Sequence, residues 1–133
     1  MLVVEDSPAD VVLVRLAIED SGVPLDIVHF SDGEEMIQHL NSASPKDTSF
    51  ILLDLNIPKA NGIDILKYKS TIDKWRHVPV ILYSSSTRQE DIQQVIANGA
   101  NAYVCKSVDF QQFSRTLNHL IVFWGEMNLP IHN

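Results

Sequence analysis

The chain has 133 residues, of which 45% are hydrophobic and 20% charged; this suits one folded domain with an apolar core and argues against disorder or a second domain. Seventeen acidic residues against ten basic ones give a formal charge of −7. No Lys/Arg cluster offsets it locally, so direct nucleic-acid binding is disfavoured. A single cysteine, Cys105, excludes an internal disulfide framework and a cysteine-rich zinc site, and it reads as a small core hydrophobe. No apolar run approaches the roughly 18 residues of a membrane span. Met1 to Asp6 carries no basic segment and no small-residue cleavage site, so it is not a signal peptide, and the cytoplasm is the expected compartment. The chain opens almost directly on its first strand, which suggests that a residue or two is missing ahead of it.

In chain order, Leu2-Val3-Val4 is a short strand-like run followed by Glu5 and Asp6. Ser7-Pro8 opens a helix to about Asp20, and Ser21-Gly22 closes it before Pro24. Asp26 to Phe30 reads as the second strand, and Ser31-Asp32-Gly33-Glu34 as a capping box for a helix to about Leu40. After a polar loop, Phe50 to Leu53 reads as a strand buried on both faces that delivers Asp54 at its end. Asn61-Gly62 precedes a helix from about Ile63 into the 70s. Val80 to Tyr83 is a fourth strand, ending in Ser84-Ser85-Ser86. Thr87-Arg88-Gln89-Glu90 reads as another capping box, for a helix to Asn98-Gly99. Ala102 to Cys105 is a fifth strand with Lys106 at its end, and a last helix spans about Phe110 to Trp124. The expected architecture is an α/β, doubly wound, five-stranded parallel sheet with helices on both faces. Residues 1–125 form the domain and 126–133 a C-terminal tail.

Ligands of such sheets bind at the carboxyl ends of the strands. Those ends carry Glu5, Asp6, Asp54, Ser84 and Lys106. Three carboxylates gathered there repel one another unless a cation sits among them, and a hard oxygen-seeking ion such as Mg²⁺ suits that need. A hydroxyl and an ammonium beside them complete a cradle for phosphoryl oxygens, where positioning and charge neutralisation do most of the work. A central carboxylate can be the nucleophile. Asp54, after the most hydrophobic strand, is the best candidate.

Five segments, in order, resemble bacterial response-regulator receiver domains, from about Leu2 to Trp124. They are Leu2-Val3-Val4-Glu5-Asp6, Ile51 to Pro58, Asn61-Gly62, Pro79 to Ser84, and Gly99 to Lys106. The resemblance implies a flavodoxin-like receiver fold and a phosphoacceptor role for Asp54. It implies that Asp6 and Asp54 hold Mg²⁺ with the backbone carbonyl of Asn56, and that Glu5 acts through a metal-bound water. Ser84 would bind the phosphoryl group, Lys106 would pair with its oxygens, and Tyr103 matches the aromatic switch position. Asn56 and Ser86 lie where the family tunes phosphoryl lifetime. The implied partners are a sensor histidine kinase and a downstream protein target or histidine phosphotransfer domain. Pro8-Ala9-Asp10, Lys106-Ser107 and the tail from Phe123 to Pro130 are similar to the stand-alone regulators that partner phytochromes. Ser107 departs from the family, which usually has a cis proline after the lysine; without proline a cis bond costs roughly 3–4 kcal/mol, so a trans bond and a shifted Lys106 are expected.

Several plainer readings stand beside these. Glu5, Asp6 and Asp54 can be solvated strand-end residues, Ser84 a turn residue, Lys106 a surface lysine and Tyr103 an ordinary strand residue. Five scattered histidines form no ligand spacing, and Trp75 and Trp124 read as packing anchors. A receiver-like module that is never phosphorylated is one alternative function. An aspartate-nucleophile phosphohydrolase is another, weakened because Asn56 stands where a general acid is needed and no cap domain is present. The last helix and its pair Phe123-Trp124 offer a surface for a homodimer. The tail has no linker-like composition, which leans against a fragment cut from a larger regulator.

Overall fold

The computed structural model describes residues 1–129. Five strands alternate with five helices: β1 Leu2–Val4, α1 Pro8–Ser21, β2 Val28–Phe30, α2 Gly33–Ser42, β3 Ile51–Asp54, α3 Gly62–Ser70, β4 Val80–Ser84, α4 Gln89–Ala97, β5 Ala102–Cys105 and α5 Phe110–Val122. The strands form one parallel sheet in the order β2-β1-β3-β4-β5. Every residue of β1, β3 and β4 is buried, as expected where helices cover both faces. One apolar cluster packs α2 and α3 on the sheet through Met36, Leu40, Ile65 and Leu66. The other packs α1 and α5 on the opposite face through Val14, Ile18, Phe113 and Leu117. The chain runs outward from β1 to β2 and then crosses back to β3, so the order reverses between β1 and β3. That crevice is where such sheets bind ligands.

Local chemistry sets where the elements start. Ser7 Oγ accepts from Asp10 N at 3.3 Å, and Pro8 supplies the first turn of α1. Asn61 and Asp64 form a reciprocal capping box for α3. Gly62 sits where a Cβ would lie 2.9 Å from the Asp54 carbonyl oxygen, so this helix can approach the end of β3 only without a side chain there. Asp109 caps α5.

Some elements differ from expectation. β2 begins at Val28 rather than Asp26 because β1 offers partners only from Leu2 onward. The cap of α2 is Asp32, bonded to Glu35 N at 2.9 Å, one residue later than the Ser31 reading. α4 starts after Arg88 with no side-chain cap; Ser86 Oγ instead accepts from Arg88 N and donates to Asp91. α3 ends at Ser70, and a 3₁₀ turn over Asp73–Trp75 follows. α5 passes at Phe123–Met127 into a π-helical turn. Trp124 packs there against the second core, and Gly125 leaves room for Leu25, whose Cδ1 a Cβ would meet at 2.6 Å. Trp75 is a fully buried anchor, as expected. Cys105 corrects its reading as a core residue: it is exposed, at the end of an edge strand. The tail expected at 126–133 lies outside the described residues from Pro130 onward. No helix of the described chain is long and apolar enough to cross a membrane.

One polar residue lies on a face that packs inward. The buried positions of α3 are Gly62, Ile65, Leu66 and Lys69, a helical stripe in which the last member is a lysine. Lys69 is 6% exposed and lines a cleft of about 140 Å³ with Leu66, Ser70, Arg76, Asn98 and Gly99. No carboxylate among the described residues pairs with it. Burial lowers its pKa to about 8.

Candidate functional site

β1 and β3 lie side by side in parallel register, Val4 opposite Leu53, so the residues that follow them emerge together. Carboxylate oxygens of Glu5, Asp6 and Asp54 all lie within 4.8 Å of one another. Glu5 and Asp54 are buried while Asp6 is exposed, so the cluster has a closed floor and an open side. Two buried carboxylates do not behave as solvated strand ends. A hard divalent cation fits this donor set, which is all oxygen and reachable from solvent.

Lys106 arrives from β5 across the sheet. Its Nζ lies 2.7 Å from Glu5 Oε1, 2.9 Å from Asp10 Oδ2 and 3.1 Å from Asp54 Oδ2. Burial by itself lowers a lysine pKa, but here the hydrogen bonds to Glu5 and Asp10 and the charges of Asp54 and Glu5 raise it above its ordinary value. All peptide bonds among the described residues are trans. Lys106 therefore reaches the cluster although Ser107 follows it.

Glu5 is wholly enclosed. Its Oε2 accepts from Ser7 N at 3.2 Å and its Oε1 from Tyr83 Oη at 2.7 Å. Burial, first, and then Asp54 push its pKa up, while Lys106 and Tyr83 pull it down; the balance is a rise to about 7. Asp54 Oδ1 accepts from Asn56 N at 3.3 Å, and the Asn56 side chain is exposed.

Ser84 lies at the end of β4, 1% exposed, and its Oγ accepts from Ser86 N at 3.1 Å rather than bonding to Asp54. Tyr103 is half-buried, and its hydroxyl donates to the Ser86 carbonyl at 2.8 Å. Ser86 is thus a junction: it holds Ser84 through its N–H, Tyr103 through its carbonyl, and Asp91 of α4 through its hydroxyl.

Sequence reasoning missed two members of the cluster. Asp10 had one usable signal, since Ser7-Pro8 fixes the start of α1 and helical side chains lean toward the N-terminus. That tilt aims Asp10 back over the sheet edge. Tyr83 had a weaker one, an aromatic hydroxyl ending the aliphatic run Val80-Ile81-Leu82.

Comparison with known proteins bears on this geometry. The response regulator receiver domain model matches residues 1–118. Response regulator Rcp1 of Synechocystis sp. is 27% identical over 135 residues, covering 98% of this chain and 92% of that protein. The crystal structure of the phosphorylated cyanobacterial phytochrome response regulator RcpA has a TM-score of 0.88 at 28% identity, with 97% of this chain and 95% of that chain covered. The Mn²⁺-bound form of response regulator Rcp1 has a TM-score of 0.89 at 25% identity, with 98% and 96% covered.

Proposed function

The chain belongs to the response regulator receiver domain family, and from that premise we propose that it is a single-domain, cytoplasmic response regulator phosphorylated on Asp54 by a sensor histidine kinase. The observation that carries this reading is the ammonium of Lys106 lying 3.1 Å from Asp54 and 2.7 Å from Glu5, beside the carboxylate of Asp6. In the transfer, an Asp54 carboxylate oxygen forms the O–P bond as the N–P bond of a donor phosphohistidine breaks. The imidazole nitrogen leaves with the bonding pair. Asp6, Asp54 and the Asn56 backbone carbonyl would hold Mg²⁺, with Glu5 acting through a water. The ion would neutralise charge on the transferring oxygens. Lys106 exchanges its bond to the Asp54 carboxylate for one to a phosphoryl oxygen, and Ser84 donates to another.

Output follows from the Ser86 junction. When Ser84 turns toward the phosphoryl group it gives up the Ser86 N–H, and the same residue holds Tyr103 of β5 and Asp91 of α4. Phosphorylation thereby shifts the population of the α4-β5-α5 face toward a state that binds a downstream protein or a histidine phosphotransfer domain. The receiver occupies residues 1–125. The last helix and its aromatic pair Phe123-Trp124, of which Phe123 is exposed, supply a surface for a homodimer. Catalysis is confined to the chain's own carboxylate, in self-phosphorylation and dephosphorylation. Asn56 offers no general acid for a hydrolase, and the buried, ion-paired cluster favours the switch over a module that is never phosphorylated.

The test is treatment with phosphoramidate and Mg²⁺, read by intact mass, on wild type and Asp54→Asn. One added phosphoryl group that requires both Mg²⁺ and Asp54 is expected. Its absence from wild type would overturn the reading.

A further inference from the structure

β4 ends in Tyr83 and Ser84, whose side chains point to opposite faces by strand alternation. Tyr83 faces the α1/α5 side, completely buried among Val3, Val14, Phe113 and Leu117. Its ring stacks on Phe113 with centroids 6.4 Å apart. Any large apolar residue could fill that volume. A hydroxyl there needs a partner, because a buried donor left unpaired gives up its bond to water and gains nothing in return. The partner is Glu5 Oε1 at 2.7 Å, across 78 residues of sequence. The same oxygen receives Lys106 Nζ at 2.7 Å, and that Nζ lies 4.4 Å from the centroid of the Tyr83 ring. One side chain thus holds two members of the cluster, Glu5 through its hydroxyl and Lys106 over its π face.

We propose that Tyr83 is a positioning residue for the acidic cluster, fixing the Glu5 carboxylate and the Lys106 ammonium where a divalent cation and a phosphoryl group meet them. The inference rests on the phosphoacceptor reading for its kinetic part and stands apart from it for its metal-binding part. With Ser7 N–H on Oε2 and Tyr83 on Oε1, Glu5 is anchored at both oxygens without help from solvent. Removing the hydroxyl leaves Oε1 to Lys106 alone, and Lys106 must let go when it turns to a phosphoryl oxygen.

Tyr83→Phe keeps the ring and deletes only the hydroxyl. Calorimetric titration with Mg²⁺ is expected to show about tenfold weaker binding, the scale of a lost hydrogen bond to a charged group. Phosphoramidate labelling at saturating Mg²⁺ should slow several-fold, and Tyr83→Leu, which also removes the face under Lys106, should slow further. A purely structural role would lower the melting temperature and leave Mg²⁺ affinity alone. A double-mutant cycle with Glu5→Gln separates the two. The Tyr83→Phe loss should disappear in the Glu5→Gln background, and full additivity overturns the proposal, as does unchanged or tighter Mg²⁺ binding in Tyr83→Phe. Failure of wild type to take a phosphoryl group overturns the phosphoacceptor reading instead, and the Mg²⁺ arm still decides the role of Tyr83.

Discussion

Two lysines are withdrawn from solvent in this domain, and their surroundings are opposite. Lys106 ends among three carboxylates over an aromatic ring. Lys69 ends α3's apolar stripe in a cleft where none of the described carboxylates pairs with it. The charge of the first is reinforced and its pKa rises; the charge of the second is penalised and its pKa falls to about 8. Burial alone therefore says little about a charged side chain. What decides its effect is whether the fold supplies the counter-charge, and at the carboxyl edge it does so from β1, α1 and β3 together.

Deleting each cation should have opposite signs, which is the strongest way to break the comparison. Lys106→Met leaves Glu5, Asp10 and Asp54 facing one another and should cost about 3 kcal/mol in urea denaturation. Added Mg²⁺ should restore much of that loss. Lys69→Met should instead stabilise the domain by on the order of 2 kcal/mol at pH 7. The sign follows from proton binding: with a folded pKa of about 8 against an ordinary 10.5, the unfolded chain binds more protons between those values. Wild-type stability should thus rise with pH across that window, and the advantage of Lys69→Met should shrink to nothing above it. A flat difference from pH 7 to 11 would contradict the assignment.

Glu5 sharpens the same contrast from the acidic side with a smaller effect. Its pKa is raised from 4.5 to about 7, so the folded state binds more protons than the unfolded one between those values. In EDTA, stability should fall as pH climbs through that window. Mg²⁺ should bind more weakly below pH 7, because protonation of Glu5 removes a negative charge beside the ion. Denaturation midpoints at pH 5 and 8, with and without Mg²⁺, would check both statements.

Much of this site was legible before any coordinates. Apolar runs such as Ile51-Leu52-Leu53 mark strands because a sheet covered on both faces needs nothing else, and the charged residue ending each run then falls on one edge. The five positions expected at that edge lie at the ends of parallel strands. Their hydrogen bonds were less legible: Lys106 reaches Asp54, whereas Ser84 bonds within its own loop. Asp10 and Tyr83 escaped because their partners lie 96 and 78 residues away, and the local cue at each, a helix start and an aromatic hydroxyl after an aliphatic run, does not name that partner. Caps slipped by a residue where two suitable side chains adjoin, as with Ser31 and Asp32, since backbone dihedrals choose between them. Cys105 was misread because composition does not distinguish an edge strand from a central one.

The position of Asp54 also grades the domain in time. It ends β3, buried on both faces and paired on both sides, whose amides should exchange with solvent only when the whole domain unfolds. Lys106 follows β5, a half-buried strand with a single neighbour, whose amides can exchange through local opening. One half of the site is therefore tied to a strand expected to open last and the other to a strand that can open by itself. If Asp54 takes a phosphoryl group as proposed, the expected displacement lies at the β5 edge rather than in the central strand.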